Sequence, residues 1–308
     1  MRPIAIVGYA RTGADAPEND EVELVRQVVD DALTDADITR DQLGFICSGS
    51  CDLLIGRPFS FVSAVDGVGM WPPKSESHVE MDGAWALYEA FLRLHHGDID
   101  AALVYSFGKG TAGDLNQVLT LQLDPYRMAP LAIDAVGMAG LQARAFVEAH
   151  DADPALADIA RPAWSDGAAA VVLAAGDLAE RCKERPAWIR GIEQRIEAHS
   201  LGARDLTQSV STAQAAAALD LSGVQAAELH ASFAYQQPML TRALGLGEGV
   251  ALNPATGALD DDPCMSTGLI RLGEAARRIH TGDVDVALAH ASSGPCMQHN
   301  LVAVLEAR

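Results

Sequence analysis

His230 sits in the stretch ELHASFA, residues 228–234. An imidazole titrates near neutrality, so it can polarise a carbonyl or act as a general base; the plainer reading is a hydrogen-bonded loop histidine. Asp262 closes a run of three aspartates, Asp260, Asp261 and Asp262, a pattern usual for a solvated loop. Beside a second carboxylate such as Glu80, repulsion and burial would raise one pKa and make that group an acid. Glu80 on its own reads equally well as a helix N-terminal residue favoured by the dipole. His290 follows an apolar run and suits either an inward acid/base or a satisfied core histidine. Cys264, two residues after Asp262, is the one thiol placed to be a nucleophile, against the ordinary reading of an inert buried cysteine. Cys47 and Cys51 are spaced C-x3-C without a partner pair, which is wrong for a zinc ribbon, so no metal centre is expected. Tyr235 could donate a proton, although a packed aromatic is the better reading.

The elements that must position these groups alternate between strand and helix. Apolar β-rich runs at residues 4–7, 45–47, 101–107 and 168–174 predict strands, the last buried on both faces. Helical spacing of apolar residues predicts helices over 21–33, 83–95 and 131–149. The pattern implies an α/β architecture with mainly parallel pairing.

An internal repeat is the most informative feature. Residues 83–103 (GAWALYEAFLRLHHGDIDAAL) align without gaps on 268–288 (GLIRLGEAARRIHTGDVDVAL) at an offset of 185, with 11 of 21 positions identical. Composition alone gives far fewer matches, so the chain reads as two similar halves, residues 1–180 and 181–308. In each unit a glycine opens a helix, His-x-Gly-Asp ends it and a buried strand follows. The recurrence of Asp100 as Asp285 argues for a structural role in that turn. Two equivalent helix N-termini would face one another, and their unpaired N–H groups would suit a carbonyl oxygen or a developing oxyanion.

Composition narrows the function. The 308 residues carry 22 basic and 42 acidic side chains, a formal charge of −20. Without a cluster of lysines and arginines, nucleic acid is disfavoured as a partner. The same charge repels anionic membranes and, at long range, coenzyme A, which would need a local basic pocket. The longest apolar stretch, residues 168–175, is far short of a membrane span. Residues 1–8 lack a signal-peptide layout, and five cysteines do not form a secreted framework. A reducing cytoplasm is therefore expected.

Four motifs spread along the chain resemble the thiolase superfamily, most closely the sterol-carrier-type thiolases and steroid side-chain-cleaving aldolases. They are ARTG at 10–13, SDGAAAVVLA at 165–174, ELHASFA at 228–234 (similar to the HDAF/NEAF loop), and NPATGALDDDPCMSTG at 253–268, which follows the pattern NPxGG…GHPxGxTG. The resemblance implies a duplicated αβαβα layered fold, a coenzyme A thioester as substrate with no permanently bound cofactor, and a homodimer or heterotetramer. It further implies dimerisation through an edge strand near residues 104–108, and a small OB-fold/zinc-ribbon partner chain as in the aldolases.

The departures from that family carry as much information. Its nucleophilic cysteine falls on Glu80, and neither Met81 nor Asp82 is a thiol. Acyl transfer through an enzyme thioester needs a thiolate, which a carboxylate cannot replace. The GHP histidine falls on Asp262, and the late acid/base cysteine falls near His290, followed by the altered loop SSGPCMQHN. His230 keeps the position of the histidine that helps bind the thioester oxygen. The family's long loop domain, which holds the pantetheine arm, is reduced to residues 111–164.

The expected function is thus chemistry on acyl thioesters without a covalent cysteine intermediate: retro-aldol cleavage of a β-hydroxyacyl-CoA in lipid or steroid side-chain degradation. Asp262 or Glu80 would be the base, His230 the donor to the thioester oxygen and His290 the acid. Two alternatives stand beside it, a non-catalytic thiolase-like subunit of a heteromeric complex and an acetyl-CoA acyltransferase using Cys264.

Overall fold

The computed structural model describes residues 2–12, 20–69 and 74–308. In the first half the elements are β1 (Ile4–Arg11), α1 (Glu21–Asp35), β2 (Phe45–Gly49), α2 (Asp52–Ile55), α3 (Ser60–Val68), β3 (Ser75–Val79), α4 (Gly83–His96), β4 (Ala101–Lys109), α5 (Leu115–Leu121), α6 (Ala135–His150), β5 (Trp164–Ala175) and α7 (Asp177–Cys182). In the second they are β6 (Ala187–Ile196), α8 (Val210–Ala217), β7 (Ala226–Leu229), α9 (Gln236–Ala243), β8 (Ala251–Leu252), β9 (Asp262–Pro263), α10 (Thr267–His280), β10 (Val286–Ser293) and β11 (His299–Glu306).

The strands run in the order β3-β2-β4-β5-β1-β6-β11-β10-β7-β8, with β9 attached to β5. Read from the centre outwards, β1-β5-β4-β2-β3 is mirrored by β6-β11-β10-β7-β8, so the duplication seen in the sequence is a duplication of topology. The halves meet where β1 pairs β6, Ala5 against Trp188 and Ile6 against Ala187.

Three of the four apolar cores define five layers. One holds the helices α4 and α10 between the inner faces of both halves, with Leu87 and Leu272 packed among Ile6, Val104, Val171, Ala289 and Ala303. A second buries α1, α3 and α7 on the outer face of the first half, through residues such as Val25, Val29, Ala64 and Ala179. The third packs α6, α8 and α9 on the outer face of the second half, around Phe146, Ala215, Leu229 and Leu240. This is the αβαβα layering, and it explains why β5 is apolar at every position from Ala168 onward: each of its side chains meets a core, on one face or the other.

Two expectations are corrected. Pairing is mixed rather than mainly parallel. β1–β5, β1–β6, β4–β5, β6–β11 and β10–β11 are antiparallel, and the parallel ladders lie toward the two edges. The stretch 104–108 is no edge, because β4 is flanked by β2 and β5; the edge of the first half is β3. The first comes from apolar strand patterns, which report burial and leave direction undetermined; the second was implied by the resemblance, and the strand order of this chain places another strand outside β4.

The repeated unit behaves as its sequence implies. Gly97 and Gly282 hold φ of +83° and +79°, the left-handed turn that ends α4 and α10 before the next strand. Among the described residues, no helix is long and apolar enough to cross a membrane.

Candidate active site

Helices α4 and α10 bring their N-terminal ends together, and one carboxylate lies between them. Asp82 is the N-cap of α4, accepting from Ala84 N at 2.8 Å. It also accepts from Gly268 N at 2.8 Å and Leu269 N at 3.1 Å, so it caps the helix of the other half as well. In return, Gly83 N donates to Met265 O at 2.9 Å. The approach is tight enough that a Cβ on Gly268 would lie 2.5 Å from Asp82 Oδ1. Only glycine fits there. The helix tips expected to receive a substrate oxyanion are therefore already occupied by the chain's own anion.

A cavity of about 690 Å³ opens beside these tips, lined by Glu80, Asp82, His230, Asp262 and Cys264 among others. Four of the five residues singled out in the sequence thus share one cavity. His290 does not line it.

Asp262 is 4% exposed. Its Oδ1 accepts from Thr267 Oγ1 at 2.6 Å, and its backbone is fixed by pairing with β5. Burial raises its pKa, opposed by the hydroxyls of Thr267 and Ser232 and by the charge of Arg271. The aspartate run is no solvated loop. Its middle member, Asp261, is buried too, paired with Arg11 and accepting from Ser165 Oγ at 2.6 Å. Those contacts unite the ARTG, SDGAAA and DDPC segments at one place; Gly13 itself lies outside the described residues.

His230 follows β7, and its Nε2 stands 3.7 Å from Asp262 Oδ1. Ser292 N donates to its Nδ1 at 3.4 Å. An accepting Nδ1 assigns the ring proton to Nε2, which makes Nε2 a donor beside Asp262. Burial lowers the pKa of His230 to about 3, helped by the charge of Arg271, so the ring is neutral at working pH.

Among the carboxylates, Asp261 raises the pKa of Asp262 further, and Asp262 in turn raises that of Asp82; Glu80 is not among the main charges acting on either. Burial pushes the Asp82 carboxyl up to about 7 against its three backbone donors, with a further upward contribution from Asp262. Glu80 is a half-exposed mouth residue that accepts from Asp52 N at 2.6 Å and pairs with His78 Nε2 at 3.1 Å.

His290 is fully buried on β10, with Nε2 bonded to Asn300 Oδ1 at 2.9 Å and burial lowering its pKa to about 3. Its backbone carbonyl takes the N–H of His230 at 3.2 Å. It supports His230 from behind the wall, a placement that does not carry the expected acid role. Cys264 reaches the cavity as a thiol: burial raises its pKa well above the usual range, and the charges of Asp262 and Asp82 raise it further. Tyr235 is packed inside, its hydroxyl donating to Gln142 Oε1 at 2.9 Å. Cys47 and Cys51 are buried free thiols.

Asp82 is the residue sequence reasoning passed over. The sequence signal for it is an aspartate directly before the glycine that opens a helix, an N-cap position.

The glycine-rich segments of the resembling pattern are replaced by strained ones. Met265 holds φ of +70° where the pattern carries glycine, and Cys296 and Met297 hold +54° and +50° in the loop that closes the cavity.

The apolar wall comes from the region between β4 and β5 (Leu119, Leu121, Leu123, Ala135 and Ala139), together with Phe233 and Met297.

No protein-family model matches the chain, and no curated protein matches it. Solved structures do. The Ltp2–ChsH2(DUF35) aldolase superposes with a TM-score of 0.76 at 16% identity, covering 99% of this chain and 98% of its own. Human mitochondrial 3-ketoacyl-CoA thiolase, solved in complex with CoA, gives 0.71 at 14% identity, with 100% and 98% covered. Another structure of the human thiolase gives 0.71 at 15% identity. These likenesses run the whole length of the chain, and they identify its fold as that of the thiolases.

Proposed function

We propose that this chain cleaves a β-hydroxyacyl thioester by a retro-aldol reaction that forms no bond to a cysteine. The observation that carries the reading is the pair His230 and Asp262, a neutral ring donor 3.7 Å from a buried carboxyl in a cavity whose lining thiols, Cys264 and Cys296, are both held protonated by burial. The carboxylate of Asp262 takes the proton of the β-hydroxyl. The Cα–Cβ bond breaks as the carbonyl of the leaving ketone or aldehyde forms, and its electron pair moves onto the thioester as an enolate. The Nε2–H of His230 donates to the enolate oxygen, in the sense of an oxyanion site. Protonation of Cα by Asp262 then returns the proton, so the products are together isomeric with the substrate. Support comes from the thiolase fold and from an aldolase among its structural relatives. By extension from that relative, a small second chain is part of the working assembly.

The test is cleavage of a tertiary β-hydroxyacyl thioester, followed by ketone release, by the chain alone and with any co-purified partner. His230→Ala should slow turnover by at least about 10²-fold and Asp262→Asn should abolish it, and unchanged rates in both would end the proposal. A second reading, a non-catalytic subunit that stabilises an active partner, is favoured by the helix tips being closed by Asp82. It requires that activity follow the partner chain and be indifferent to both substitutions.

A further inference from the structure

Coenzyme A has two unlike ends, an uncharged pantetheine arm that carries the thioester and a nucleotide that carries phosphates. A protein binds phosphates with lysine and arginine or with free backbone donors at a helix N-terminus. Among the described residues that line the cavity there is no lysine or arginine, whereas four carboxylates line it: Asp52, Glu80, Asp82 and Asp262. The two stretches outside the described residues, 13–19 (GADAPEN) and 70–73 (MWPP), contain no basic residue either. The N-terminal donors of α10 are taken by Asp82. Arg161, whose guanidinium lies over the ring of the lining residue Trp164 at 5.4 Å, is paired with Asp114 at 3.2 Å. The whole chain adds a charge of −20.

Building on the thioester reading above, we infer that this cavity recognises its substrate through the uncharged end alone. It takes an apolar acyl group on a pantetheine-type arm, and the phosphates of coenzyme A gain nothing from this chain. Leu119, Leu123, Ala139 and Phe233 supply the apolar wall for the acyl group. The four carboxylates disfavour an anionic substituent on it. The phosphorylated end meets only long-range repulsion, which salt weakens.

The experiment compares hexanoyl-pantetheine with hexanoyl-CoA as non-reacting probes, titrated calorimetrically into the full chain at ionic strengths of about 10 and about 150 mM. The expected result is that the pantetheine thioester binds at least as tightly as the CoA thioester at both. Salt should strengthen CoA binding roughly two- to fivefold and leave pantetheine binding unchanged. Arg161→Ala should alter neither. The inference is overturned, with the thioester reading intact, if hexanoyl-CoA binds threefold or more tighter, if its affinity falls with salt, or if Arg161→Ala weakens it. Failure of both probes to bind would remove the thioester reading itself and the inference with it.

Discussion

Asp82 belongs to the first half of the chain, yet its Oδ2 takes the backbone N–H of Gly268, which lies in the helix of the second half, at 2.8 Å. With the bonds from Ala84 and Leu269, one buried carboxylate closes both helix tips. Asp82→Ala should therefore lower unfolding free energy by about 2–3 kcal/mol, the loss of several caps at once. Chemical denaturation measures it, and an unchanged midpoint would show that the tips close without the carboxylate.

The pH dependence of stability follows from the same residue. Its folded pKa is raised to about 7 by burial, above the unfolded aspartate value of about 3.9. The folded state thus holds the proton more tightly. Its contribution is fully present below about pH 4 and is lost as pH rises toward 7. Asp82→Asn should flatten that part of the stability profile, as read from denaturation midpoints at a series of pH values.

Removing His230 should cost the cleavage reaction roughly 10²–10³-fold, the usual loss on deleting one oxyanion donor. Because burial lowers its pKa to about 3, the ring stays neutral from pH 5 to 8, and the rate profile in that window carries no histidine limb. A ring titrating near pH 6.5 by NMR would contradict this.

Cys264 faces the cavity with its pKa raised by burial, Asp262 and Asp82. Iodoacetamide should label it slowly at pH 7, and Cys264→Ala should leave turnover unchanged. Rapid stoichiometric labelling with loss of activity would restore the acyltransferase alternative.

Behind the site, Glu228 holds two cations, Arg271 at 3.2 Å and Arg278 at 3.0 Å, and the Arg271–Glu228 pair is fully buried. Glu228→Ala should destabilise by about 3–5 kcal/mol by leaving a buried guanidinium without its counter-charge. Pairing it with Arg271→Met should recover much of the loss in the same denaturation assay.

Periodicity and repeats made the layered fold legible. The helix read over 83–95 is Gly83–His96, and the one read over 21–33 is Glu21–Asp35. Such patterns record which face is buried. They gave the wrong direction for the central strands, because strand pairing depends on contacts remote in sequence; the edge at 104–108, implied by the resemblance, is an interior strand. The long helix read over 131–149 begins only at Ala135, where Asp134 caps it. His230 and Asp262, singled out by motif position, both line the cavity, 3.7 Å apart. Glu80 also lines the cavity, but it is half-exposed and engaged by the N–H of Asp52 and the ring of His78, which the spacing in the sequence does not reveal. His290 is fully buried outside the lining, and its backbone carbonyl accepts the N–H of His230; an apolar run before a histidine does not tell such a support from an acid/base group.

The exchange of contacts at the helix tips is lopsided. The first half contributes a carboxylate and one amide donor, and the second contributes a carbonyl and two amide donors, so only the first half places a side-chain anion there. Two copies of the first half assembled in this arrangement would set carboxylate against carboxylate in a dry centre, and two copies of the second would leave amides facing amides. A molecule built by duplication has in this way lost the capacity to revert to a pair of identical pieces, and each half has become the obligate complement of the other.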